Sequence, residues 1–274
     1  MPGRGVLSAV MDEALELVAP TRCVGCDEPG ALLCDECLAA LPWVRQELAC
    51  PNCGAPHGGL TCTECSEPWE TRACVCALGF LGPVRRLVPA MKDYHELRLA
   101  PVMAAAMLCA LEEASVWPAA DGRPRYDAGE VDAVCFVPAT AAAFARRGFD
   151  HMELVARELC RLTGLPLADV LVRRRARDQR ELGQAERAAN LAGTVEVADD
   201  VSGMRLLLLD DVVTTGSTIR EASRALLARG ACPPTVPSGG AQRQGQRRVL
   251  GGYTREVPPG SVVAGRHQSV PSPR

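Results

Sequence analysis

Residues 206–218 read LLLLDDVVTTGST: an oily run, two adjacent carboxylates, then small hydroxyl side chains around one glycine. Residues 206–209 are apolar on both faces, the pattern of a central strand in a parallel sheet. Ligands of such sheets bind beyond the carboxyl ends of the strands, which puts Asp210 and Asp211 at the crevice. Thr214, Thr215, Gly216, Ser217 and Thr218 then form a tight loop that opens a helix. The first backbone N–H groups of a helix lack intrahelical partners, and its dipole favours an anion there. The dipole contributes about 0.3–1 kcal/mol, whereas each hydrogen bond to a charged group contributes about 1.5–3 kcal/mol. Amides and hydroxyls would therefore do most of the holding, and Gly216 lets the backbone approach closely. A phosphate fits this cradle, but two carboxylates beside it would repel one. They must serve donors on the same ligand, namely sugar hydroxyls, so the stretch points to a phosphorylated sugar. A plain turn with a hydroxyl N-cap would explain the Thr and Ser residues and leave the acids unexplained. Neither GxxxxGK[ST] nor GxGxxG precedes the helix, which argues against Walker-type and dinucleotide binding.

A second chemistry lies near the amino terminus. Of 14 cysteines, eight form four C-x-x-C pairs: Cys23 and Cys26, Cys34 and Cys37, Cys50 and Cys53, Cys62 and Cys65. The two-residue spacer lets both thiolates of a pair face one tetrahedral ion, so eight ligands make two closed structural zinc sites. Sequential pairing is the simplest, and an interleaved arrangement fits the same spacing. Residues 20–70 carry few large apolar side chains, and so short a segment buries little area. Structural zinc contributes roughly 10–16 kcal/mol, against the ~5–15 kcal/mol net stability of a whole domain. Metal should fold this module. His57 lies beside the second set, but a full complement of thiolates leaves it no vacancy. The remaining cysteines (Cys74, Cys76, Cys109, Cys135, Cys160 and Cys232) lack the spacing and mostly read as small buried apolar residues.

The elements that must position these groups alternate along the chain. Strands are predicted over 73–80, 131–138, 169–172 and 205–211, and helices over 100–114, 152–163 and 218–229. The segments 117–130 and 139–151 read as loops. Alternation of this kind implies an α/β fold with a mostly parallel sheet. Residues 1–19 space Val6, Val10, Ala14, Leu17 and Val18 as an amphipathic helix. Asp12, Glu13 and Glu16 would not suit a signal-peptide core, and no apolar run approaches the ~18 residues of a spanning helix, so a cytoplasmic protein is expected. Residues 232–274 are dense in proline and glycine and read as disordered.

The motif LLLLDDVVTTGST resembles the phosphoribosyl-pyrophosphate (PRPP) signature of type I phosphoribosyltransferases. The order of four C-x-x-C pairs, a lysine after the first strand, VP…RRGFDH, Q…R..N and DDVVTTGST is similar to the ComF/GntX family over about residues 20–231. The resemblance implies a type I phosphoribosyltransferase-like sheet over 73–231, preceded by a double zinc-ribbon module over 20–70. It implies that Asp210 and Asp211 bind the ribose hydroxyls of PRPP and that residues 214–218 hold its 5′-phosphate. Arg146 and Arg147 would lie near pyrophosphate and Mg²⁺. Lys92 and the stretch containing Gln179, Arg187 and Asn190 would belong to elements that close over the site. No side chain is an obvious general base, His151 and Glu153 being the nearest candidates. Two departures stand out. Asp150-His151 replaces the family's usual Asn-Gln, and the hydrophobic strand that follows the last helix in relatives is missing after Ala231. The segment 232–274 accordingly reads as an aberrant tail, such as a shifted reading frame would produce.

Three functions compete at this point: a PRPP-dependent transferase, a DNA-uptake accessory protein that binds single-stranded DNA or a protein partner without catalysis, and a PRPP-sensing regulator. Charge bears on the choice. The formal net charge of −3 argues against a generally basic nucleic-acid binder. Residues 20–70 hold two arginines against eight acids, which makes that module a poor phosphate clamp. The sequence RRRARDQR at 173–180 holds five arginines against one aspartate and could grip pyrophosphate or single-stranded DNA. Aromatic residues make up 4% of the chain and do not interleave with that patch, so base stacking is poorly supported.

Overall fold

A computed structural model of the chain describes residues 20–65, 67–173 and 195–242. The described strands are β1 (Ala73–Gly79), β2 (Ala133–Phe136), β3 (Leu171–Arg173), β4 (Val195–Val197), β5 (Leu206–Val213) and β6 (Thr235–Ala241). Four of them form one parallel sheet in the order β1-β6-β5-β2, and β3 pairs antiparallel with β4. The helices are α1 (Asp35–Ala39), α2 (Val84–Asp93), α3 (Ala100–Ala114), α4 (Ala141–Arg147), α5 (His151–Thr163) and α6 (Ser217–Ala228). Among the described residues no helix is long and apolar enough to cross a membrane.

The strand alternation divides the core into two layers. Val75, Ala77, Val134, Phe136, Leu207 and Leu209 join a layer built with α2, α3 and α5, including Leu87, Met91, Met103, Met107, Val155 and Leu159. Cys74, Cys76, Cys135, Leu206 and Leu208 point to the other side, where they meet Ile219, Ala222 and Leu226 of α6. The same second layer contains Val44, Ala49, Cys50, Cys53 and Trp69. The cysteine-rich module is thus part of the wall that covers the sheet. Buried Arg125 fastens it from behind, donating to the carbonyls of Gln46 (2.7 Å), Ala49 (3.1 Å) and Pro118 (3.0 Å). Cys74, Cys76 and Cys135 are buried as read, whereas Cys109 is exposed and Cys160 and Cys232 are half-buried. Burial alone pushes the Cys135 thiol far up, consistent with an apolar role.

Three expectations need correction. The segment after Ala231 is not structureless from 232 onward. Residues 235–241 (TVPSGGA) form β6, wholly buried between β1 and β5. Read locally, Pro237, Gly239 and Gly240 signal a turn. In the sheet their smallness is what the packing requires: a Cβ on Gly239 would lie 2.2 Å from Met103 Sδ of α3. The strand that seemed to be missing is therefore present with an atypical composition. Second, the loop expected over 139–151 contains α4, which Thr140 caps by accepting from the Ala143 N–H at 3.2 Å and which Gly148 ends at φ +79°. An alanine-rich stretch between two good caps is enough for a short helix. Third, β5 runs to Val213, two residues beyond the acids, because β6 continues to pair with it there. The expected helix at 1–19, the residues Gln179, Arg187 and Asn190, and the segment beyond 242 lie outside the described residues.

Candidate functional site

Strand β2 ends at Phe136, opposite Leu209, so β5 continues past its neighbour and opens one flank of Asp210 and Asp211. A cavity of about 220 Å³ occupies that opening. Into it face Asp210, Asp211 and Thr218 from β5 and α6, Lys92 from the last turn of α2, Arg147 from the end of α4, and His151 from the start of α5. Thr214, Thr215 and Ser217 lie exposed on the loop leading away from it, and Gly216 holds the left-handed turn at φ +74° that starts α6. Thr215 Oγ1 donates to Ser217 Oγ at 3.1 Å, which arranges two hydroxyls at the mouth of the helix.

The two acids are not equivalent. Asp211 accepts from Lys92 Nζ and from His151 Nε2 at 2.8 Å on one oxygen, and from the Val212 N–H at 2.6 Å on the other. Burial would raise its carboxyl, but the His151 hydrogen bond and the Lys92 charge outweigh it and hold the group below the usual carboxylate range. Asp210 accepts from the Asp211 N–H at 3.0 Å. Burial and the neighbouring Asp211 charge push its carboxyl up from 3.8 to about 7. The unfolded chain releases this proton near its ordinary value and the folded chain near 7. Between those pH values the folded state binds more protons, so this group makes stability fall as pH rises. Replacing Asp210 with Asn should remove that slope and raise the melting temperature at pH 8 relative to the parent. Urea titrations at pH 5 and pH 8 measure the difference, and equal slopes in the two proteins would rule out the assignment.

Of the residues expected to surround the pyrophosphate end, Lys92 and Arg147 reach the cavity and Arg146 does not. Arg146 is exposed and lies 3.9 Å from Asp93, which Arg147 also approaches at 3.3 Å. Glu153 pairs with Arg157 at 2.7 Å along the outer face of α5, away from the cavity, and so is no candidate base. His151 is committed to Asp211 by its 2.8 Å hydrogen bond. Asp150 N-caps α5 through the Met152 N–H (2.9 Å) and takes the Ala139 N–H (2.6 Å), which ties the loop after β2 to the helix carrying His151. Arg173 was legible only as part of a basic run, yet it closes β3 against this cavity with its Nε buried and unpaired.

A larger cavity of about 480 Å³ lies at the opposite, amino ends of β1, β5 and β6. Its arginines are matched to acids: Arg123 to Asp121 at 3.0 Å, Arg205 to Asp132 at 2.7 Å, and Arg72 to Glu130 at 3.7 Å. It lacks the paired acids beside a helix mouth, so the smaller cavity is the better functional candidate.

The eight paired cysteines gather into two groups in sequential order, Cys23, Cys26, Cys34 and Cys37, then Cys50, Cys53, Cys62 and Cys65. Sulfur separations are 3.7 Å for Cys26–Cys34 and Cys50–Cys65, and 3.6 Å for Cys53–Cys62. Metal–sulfur bonds of about 2.3 Å in a tetrahedron place sulfurs ~3.8 Å apart, so the spacing fits a four-thiolate ion. So does the electrostatics. Burial, followed by hydrogen bonding to the other sulfurs and the charge of Cys23, pushes the Cys37 thiol up to about 12. In the same cluster burial opposes ionisation of Cys23, but backbone hydrogen bonds from Cys34, Cys26 and Gly25 outweigh it and lower that thiol to about 6, so the sulfurs titrate far apart and a bound cation would let them ionise together.

Comparison with known proteins agrees with this architecture. The phosphoribosyl transferase domain family matches residues 138–238, from the loop after β2 into β6. DNA utilization protein YhgH of Salmonella typhi is 30% identical over 232 residues, which cover 80% of this chain and 96% of that protein. Competence protein F of Haemophilus influenzae is 24% identical over 192 residues, 66% of this chain and 79% of that protein. The solved glutamine PRPP amidotransferase of B. subtilis shares 22% identity at a TM-score of 0.33, over 51% of this chain and 26% of that one. With a relative matched over nearly its whole length, two four-cysteine clusters and a phosphoribosyl transferase domain behind them, the chain belongs to the ComF-type family of DNA utilization protein YhgH and competence protein F.

Proposed function

We propose that the protein binds PRPP at the carboxyl end of β5 and transfers its phosphoribosyl group to an acceptor. The observation that carries this reading is the convergence of Asp210, Asp211, Lys92, Arg147 and Thr218 on one cavity beside the 214–218 loop. In this reading the ribose hydroxyls donate to Asp210 and Asp211, and the 5′-phosphate takes the amides and hydroxyls of Thr214, Thr215, Gly216, Ser217 and Thr218. Lys92, Arg147 and Arg173 face the pyrophosphate, with Gln179, Arg187 and Asn190 contributing from the 174–194 segment. Displacement breaks the anomeric C–O bond and forms a bond to the acceptor, which gives up a proton. Negative charge grows on the departing pyrophosphate, and preorganised cations lower that barrier. Mg²⁺ brought in with PRPP would share that neutralisation. Zinc would fill both four-cysteine clusters, and a reducing cytoplasm would keep those thiols available as ligands.

Isothermal titration with PRPP and Mg²⁺ tests the binding. We expect saturable heat at one site per chain, lost in an Asp210→Asn/Asp211→Asn double variant that retains its far-UV spectrum. Absence of heat from the parent protein would overturn the reading. Pyrophosphate release over a panel of nucleobase acceptors then separates a transferase from a PRPP sensor, which would bind without turnover.

A second reading is DNA handling without catalysis, favoured by the similarity to DNA utilization protein YhgH and competence protein F and by the three cations Lys92, Arg147 and Arg173 around one cavity. It predicts single-stranded DNA binding that weakens steeply with salt and is lost in an Arg173→Ala/Arg174→Ala/Arg175→Ala variant.

A further inference from the structure

The phosphate loop has a support outside the phosphoribosyl transferase domain. Trp69, which follows the second cysteine cluster, is almost fully buried and lies against Gly216. A Cβ on Gly216 would fall 2.2 Å from Cη2 of the Trp69 ring, so the indole covers one side of the turn and leaves the hydroxyl side open. The backbone N–H of Trp69 donates to Asn52 Oδ1 at 2.8 Å. Asn52 sits inside the Cys50–Cys53 knuckle, and its Nδ2 reaches Cys65 Sγ at 3.2 Å and the Glu67 carbonyl at 2.9 Å. One residue further on, the Glu70 carboxylate takes Arg220 Nε at 3.1 Å and Arg224 Nε at 2.8 Å, both on the helix that the loop opens. The first cysteine cluster docks elsewhere, with Arg86 of α2 donating to the Gly25 carbonyl at 3.0 Å.

We infer that Asn52, Trp69 and Glu70 form a brace through which the cluster of Cys50, Cys53, Cys62 and Cys65 holds the 214–218 loop in its phosphate-binding conformation. The three are positioning residues: none lines the cavity of Asp210 and Asp211, and each acts through Gly216 or the first turns of α6. The coupling follows from geometry. Asn52 is held at one end by the backbone of the knuckle and a ligand sulfur, and at the other by the chain that carries the indole. Loss of order at the cluster reaches Gly216 through two hydrogen bonds and one packed ring. Loops of this kind bind anions with backbone amides, whose contribution depends on their being fixed before the ligand arrives. The effect on affinity rests on the PRPP reading above; the mechanical link does not.

The test uses the full-length, zinc-loaded chain. Asn52→Ala should keep two metal ions per chain, yet raise hydrogen exchange of peptides covering residues 214–219 by at least tenfold. Trp69→Phe and Glu70→Gln touch no sulfur and should loosen the same peptides, while Arg22→Ala in the first cysteine module should not. PRPP affinity, measured with Mg²⁺, should fall roughly 5- to 10-fold in the first three variants. If Asn52→Ala loses metal, Trp69→Phe and Glu70→Gln decide the matter. Loop exchange within twofold of the parent in both would overturn the brace. A parent protein that binds no PRPP would sink the proposed function and leave the brace to be judged on exchange alone.

Discussion

Exhaustive removal of metal from the eight paired cysteines is expected to abolish cooperative melting of the whole chain, not only of its amino-terminal module. A structural four-thiolate zinc contributes roughly 10–16 kcal/mol, more than the ~5–15 kcal/mol by which a typical domain is stable. Val44, Ala49 and Trp69 of the module lie in the same core layer as Leu206 and Leu208 of β5. When the module unfolds, that face of the sheet meets water. Calorimetric scans before and after chelation check this, with metal content measured on the same samples. A metal-free protein that still melts in one transition near the parent temperature would show that the clusters are dispensable.

The second large effect concerns the end of the chain. Ending it at Ala231 removes β6, which separates β1 from the rest of the sheet. Among the described strands β1 pairs only with β6, so the donors and acceptors that it turns toward β6 would lose their partners together with those along the β6 side of β5, while its other edge keeps its hydrogen bonds to Pro42, Val44 and Pro51. Met103 would lose the surface of Gly239 against which it packs. Unpaired buried peptide groups cost about 1–3 kcal/mol each, and seven residues of strand exceed any domain's margin of stability. The truncated chain should keep helical far-UV signal, lose near-UV structure and bind hydrophobic dyes. A truncated protein with sharp near-UV bands and a cooperative urea transition would refute the central place of β6.

These two cases also mark where local reading of residues succeeds and where it stops. The cysteine clusters were legible because a C-x-x-C knuckle is local, and only the pairing needed three dimensions. The helix at 100–114 was legible from its alanine-rich run, and the strand before Asp210 from four successive leucines, which are buried on both faces. β6 was not, because beyond Thr235 and Val236 nothing in TVPSGGA favours a strand; its neighbours and α3 impose the conformation. Gly216 was read as room for a ligand, which omitted the Trp69 ring on its other side, a contact between segments far apart in the chain. His151 stood out as a departure from the resembling family, and its hydrogen bond to Asp211 depends on the tilt of α5 against β5. Arg173 was hidden by the arginines that follow it, since a basic run does not disclose which member turns inward.

The strand order carries a consequence for synthesis. The last described strand, β6, lies between β1 and β5, so although β5 and the helix after it lead straight into β6, its pairing with β1 must close the longest loop in the sheet. During synthesis β1 emerges before β2 and β5, yet it must wait for residues 235–241 before its partner appears. During that interval the oily faces of the nascent chain are candidates for trigger-type chaperones. A chain broken off before residues 235–241 would therefore leave β1 without its strand partner.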